Sequence, residues 1–136
     1  MKKIISYLVL AISIVIASAS MVHAQEDMSN IRKLKMEIVL SEMSLESSVE
    51  KKFTPLYHKY SDETLVLKRK IKELDAASGN AQATINEREK LKQQLLDIEK
   101  KYKQDFLKII SASDLEKMYR GENRFRQTLL RLKGSR

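Results

Sequence analysis

From Val49 to Leu74 the side chains Val49, Phe53, Leu56, Tyr60, Leu67, Ile71 and Leu74 recur at intervals of 4, 3, 4, 7, 4 and 3. A strand returns to one face every second residue and an α-helix every 3.6, so this spacing requires a long amphipathic helix from about Leu45 to Leu74. A second run, Leu91, Leu95, Ile98, Tyr102, Phe106 and Ile109, repeats at 4, 3, 4, 4 and 3 and predicts another long helix from about Ile85. Leu115, Met118, Glu122, Phe125, Leu129 and Leu132 repeat at 3, 4, 3, 4 and 3, with Tyr119 and Arg126 beside them, and predict a last helix from near Ser111. Ahead of these, Met28, Ile31, Leu34 and Ile38 form the stripe of a short helix over about Met28 to Leu40. No alternating β-branched run competes, and glycine occurs only at 79, 121 and 134. The expected fold is all-α: four predominantly amphipathic helices, two of them long.

The boundaries carry their own chemistry. Met43-Ser44-Leu45-Glu46-Ser47 and Ile110-Ser111-Ala112-Ser113-Asp114 each place a serine after an apolar residue and a short polar side chain three positions on. Ser44 and Ser111 are therefore expected as N-caps of the second and fourth helices, with Ser47 and Asp114 at the third helical position and Met43 and Ile110 as staple residues. Thr84 and Glu87 have capping-box spacing for the third helix. The polar stretch from Asp75 to Asn80 stops the second helix, with Gly79 suited to a left-handed cap. Gly121 falls mid-helix and is read as a tolerated weakness, a close helix crossing being the alternative. Pro55, the only proline, is expected to kink the second helix. In the alternative, Thr54 caps a helix that restarts at Pro55.

The N-terminal stretch has two lysines, an apolar run from Ile4 to about Ala19, and a small-residue approach to Ala24. This is the pattern of a cleavable secretory signal peptide over residues 1–24, preferred to a retained anchor because the run is short of the roughly 20 residues a span requires. Cleavage leaves 112 residues, 25–136, as a single helical domain, and lowers the formal net charge from +8 to +6. The expected location is periplasmic or otherwise exported, with a soluble mature chain. Cysteine is absent, so an exported product relies on apolar packing in place of disulfides, and a second copy is a natural source of further core.

Catalytic machinery is not expected. Only His58 of the two histidines lies beyond the signal segment. Ser111 beside Asp114 has no base at interpretable spacing and reads as a cap. Glu87 and Glu89, or Glu116 and Glu122, sit among basic residues as solvated helical faces do. His58 and Asp62 share a helical face, with Glu63 one step around, but a pair cannot close a tetrahedral structural zinc site. Met28, Met36, Met43 and Met118 are dispersed and suit core or groove filling. No glycine-rich phosphate loop is present, so neither a cofactor nor a metal is expected. Charge is polarised: residues 114–136 hold seven Lys or Arg against three acids, while residues 25–50 hold three against six. Arg120, Arg124, Arg126, Arg131 and Lys133 form the candidate partner surface. Export and the lack of a recognisable module argue against nucleic acid; contact with a membrane surface fits better, and pairing of the last helix with the acidic N-terminal region of the same chain or of a partner fits equally well.

The order of short helix, serine motif, long helix, polar turn, long helix, serine motif and basic last helix resembles that of the Spy/CpxP family of periplasmic helical proteins. Their repeated Leu-Thr-x-x-Gln signature would fall at residues 43–47 and 110–114, both degenerate here. The stretches around Pro55 and from Tyr119 to Lys133 are similar to those of divergent, Bacteroidetes-type members. The resemblance implies a cradle-like helical homodimer of the envelope. Together with export, four amphipathic helices and the positive C-terminal face, it leads to the expectation of an ATP-independent chaperone-like binder of unfolded or misfolded proteins; the alternatives are a periplasmic stress-signalling regulator or sensor that binds one envelope partner, and a structural helical dimer without client activity.

Overall fold

The computed structural model describes residues 27–76 and 79–135. The expected signal segment, residues 1–24, lies outside them. The described residues form four helices: α1 over residues 27–43, α2 (Ser47–Ala76), α3 (Ala81–Leu107) and α4 (Ala112–Gly134). At 30 and 27 residues, α2 and α3 are the long pair. No described helix is long and apolar enough to cross a membrane. Contacts divide the chain into two compact units, one containing Met43–Tyr119, the other the chain up to Glu42 together with Arg120–Arg136.

In the Met43–Tyr119 unit, α2 and α3 pack antiparallel, as the pairings Phe53 with Phe106, Tyr60 with Tyr102 and Asp75 with Arg88 establish. The buried row on α2 is Phe53, Tyr57, Tyr60, Thr64 and Leu67, at helical intervals of 4, 3, 4 and 3. Tyr57 replaces the expected Leu56, which is half-buried. Thr64 fills the gap that an apolar-only count leaves between Tyr60 and Leu67. Its hydroxyl donates to the Tyr60 carbonyl at 2.8 Å, so the Thr64 hydroxyl is satisfied where it is buried. Phe53, Tyr57, Tyr60, Tyr102 and Phe106 form a continuous aromatic cluster with centroid separations of 5.5 to 6.4 Å, including an edge-on Tyr60–Phe106 pair at 85°. Each such pair adds about 0.5–1.5 kcal/mol to the area it buries. Met43, Leu91, Ile110, Leu115 and Met118 are also buried in this unit.

The other unit joins α1 to the distal part of α4. Its stripe on α1 differs from expectation: Met28 and Ile31 are exposed, while Met36 and Val39 are buried. At Val39 the missing side chain of Gly121 admits α1 so closely that a built Cβ would lie 2.8 Å from Val39 Cα. Gly121 is thus a close-crossing residue and not a tolerated weakness. Beside it Lys35 pairs with Glu122 at 3.7 Å and lies over the Phe125 ring at 5.9 Å, while Arg124 reaches Glu42 at 2.8 Å.

Candidate functional site

The expected cap residues take different positions in the helices. Ser111 caps α4: its Oγ accepts the Asp114 N–H at 3.1 Å and its carbonyl accepts from Leu115. Ser44 is not the cap of α2. It sits before the helix with φ at +52°, and the Glu46 carbonyl takes the first helical bonds, from Val49 and Glu50. Ser47 is consequently the first residue of α2 and not its third. Thr84 and Glu87 do not form the α3 cap either. Asn80 does, its side chain accepting from the N–H groups of Gln82 and Ala83, because it lies where the polar turn ends. Thr84 Oγ1 donates back to the Asn80 carbonyl at 3.1 Å, and Glu87 is exposed within the helix. Among the described residues no glycine has positive φ, so Gly79 provides no left-handed cap.

Pro55 lies inside the continuous α2, which excludes a restart capped by Thr54. Thr54 Oγ1 instead donates to the Glu50 carbonyl at 2.9 Å, one turn back. Ser47, Glu50, Lys51, Thr54 and Pro55 line a shallow depression on this face of α2. His58 is half-buried and Asp62 exposed. Among the described residues no group of three or more His, Cys, Asp or Glu side chains is placed to hold a metal ion. The helical basic residues Arg120, Arg124, Arg126, Arg131 and Lys133 are all exposed. Arg124 is committed to Glu42, and Arg126 donates to Asn123.

Sequence periodicity missed an open cleft between α2 and α3. It encloses about 510 Å3 and is lined by Glu63, Val66, Leu67, Gln94, Asp97 and Ile98. Its floor is apolar, and Val66 remains 54% exposed. The available signal was the run Leu65-Val66-Leu67, since three consecutive apolar residues span too much of a helix for all to face one partner. One wall is held by the Tyr102 hydroxyl, which donates to Glu63 Oε1 at 2.8 Å. Burial, followed by the nearby Glu63 carboxylate that accepts its hydrogen bond, pushes the Tyr102 phenol up to about 12. The phenol therefore stays protonated at neutral pH and keeps donating. On the opposite wall Gln93 donates to Asp97 Oδ1 at 2.9 Å. The cleft presents an apolar floor between the Glu63 and Asp97 carboxylates, each of which accepts a hydrogen bond from a neighbouring side chain.

No family model, curated protein or solved structure matches the chain.

Proposed function

We propose that the chain is an exported, ATP-independent binder of unfolded or misfolded envelope proteins that works as a bent, cradle-like homodimer. The α2–α3 cleft carries the proposal. An apolar floor left open on a helical hairpin suits transient capture of apolar client side chains. Its polar rim lets a client leave again, and no catalytic residue or cofactor is required. Pro55, inside α2 with no N–H to offer the Lys51 carbonyl, supplies the bend. The resemblance to Spy/CpxP proteins in the order of helices and serine motifs supports the same role.

Aggregation of several unrelated unfolding reporters, with the purified protein near equimolar, tests it. Protection is expected, and Val66→Asp should reduce it with helical content unchanged, because Val66 is already exposed in the folded chain. Failure to protect any reporter, with one folded envelope partner captured saturably, would replace this function with signalling regulation. Self-association without either activity would leave a structural dimer.

A further inference from the structure

The distal half of α4 has an organisation that the client-binding proposal does not use. Gly121, Phe125, Leu129 and Leu132 follow one another at intervals of 4, 4 and 3 and form a single apolar stripe. Arg120, Arg124 and Arg131 lie along one flank of it, and Arg126 and Lys133, seven residues apart, along the other. Near Gly121 the stripe is covered by Val39 of α1. Beyond Phe125 the cover thins toward the C-terminal end: Leu129 is half-buried and Leu132 is 55% exposed, still between its two basic rows. The acid in this stretch, Glu122, is paired with Lys35, and among the described residues Arg120, Arg131 and Lys133 have no carboxylate partner.

We propose that the last turns of α4, from Arg126 to Lys133, lie on an anionic lipid surface, with Leu129 and Leu132 entering the headgroup boundary and Arg126, Arg131 and Lys133 meeting lipid phosphates. An apolar strip between two cationic rows is complementary to a flat interface with an apolar interior and negative headgroups. The apolar contribution of one and a half leucines is small, so charge dominates. Each cation near such a surface raises partitioning about fivefold, and three raise it on the order of 100-fold over a neutral bilayer. Binding is therefore expected to be reversible and to weaken with salt.

Tryptophan is absent from the chain, so Leu132→Trp in the full chain places one fluorophore in the strip. Vesicles of phosphatidylcholine, with and without phosphatidylglycerol, are the probes. A blue shift is expected with the anionic vesicles at low salt and not with the neutral ones. Arg126→Gln, Arg131→Gln and Lys133→Gln together should raise the lipid concentration for half-maximal shift on the order of 100-fold. Leu130→Trp, about 200° around the helix from position 132 and 69% exposed in the native chain, should shift less. Circular dichroism confirms folding of each variant. An unchanged spectrum at position 132 overturns the proposal, as does an equal shift with both vesicle types or in the triple variant. A shift with polyglutamate but not with vesicles also overturns it and assigns the surface to an acidic polypeptide.

Discussion

Replacing Gly121 by alanine separates two effects of opposite sign. In an uncrowded helix the change gains about 1 kcal/mol of helix propensity. Here the new Cβ would stand 2.8 Å from Val39 Cα, 3.3 Å from Val39 Cγ2 and 3.5 Å from Glu42 Cγ. Carbon atoms rest at about 3.5–4.0 Å, so α1 and α4 must part locally by roughly 1 Å, loosening Val39, Met36 and Phe125. Overpacking of this kind costs about 1–3 kcal/mol, which leaves a net destabilisation of about 1 kcal/mol after the propensity gain. With a urea slope near 2 kcal/mol/M, the midpoint followed by circular dichroism should fall by about 0.5 M. Val39→Ala should not rescue Gly121→Ala, because the nearest atom belongs to the backbone of Val39 and not to its side chain. Gly134→Ala, with nothing within 4 Å, serves as the control and should be neutral or slightly stabilising. If Gly121→Ala were instead stabilising by about 1 kcal/mol, the close crossing would be refuted and the glycine would be a weakness after all.

Three further outcomes are expected. The Tyr102 phenol is raised in the folded chain to about 12, from an unfolded value near 10. The folded state therefore holds this proton more tightly. Its contribution is complete below about pH 10 and is lost as pH rises toward 12, a loss that Tyr102→Phe should abolish in alkaline unfolding curves. The phenolate absorbance titration should lose one phenol's worth of its late rise with it; a late rise unchanged by Tyr102→Phe would refute the assignment. Asn80→Ala should cost about 1 kcal/mol by urea unfolding and Glu87→Ala less than about 0.5, a ranking that reverses if Thr84 and Glu87 are the cap. Ser44→Gly should raise stability by up to about 1 kcal/mol by relieving a left-handed backbone, and a loss on the same curves would refute strain at φ +52°.

Helix number and type are local properties, and intervals of three and four with few glycines are enough to specify them. Exact helix ends were less legible. At the start of α3 two polar residues four positions apart, Asn80 and Thr84, both qualify as caps, and where the polar turn ends decides between them. At the start of α2 the chain spends Ser44 on a left-handed turn, which moves the first helical bonds to Glu46. No pattern of letters announces the left-handed turn at Ser44.

The buried faces depended on what lies opposite. Counting apolar letters chose Leu56 and passed over Thr64, yet the aromatic cluster selects the row through Tyr57, and a hydroxyl can be buried there because the Tyr60 carbonyl accepts it. On α1, Met28 and Ile31 satisfy helical spacing as well as Met36 and Val39 do. Where along α1 the close approach falls, at Val39 beside Gly121, is not given by that spacing. The cleft at Val66 and Ile98 likewise exists only where α2 and α3 leave space between them. Sequence alone determined that the chain is helical, where its charge accumulates and that its helices are two-faced, because periodicity and composition act within one helix. Tertiary structure decided which face is buried, which glycine is a contact and which apolar residues remain open, because each of those depends on distances between residues far apart in the chain.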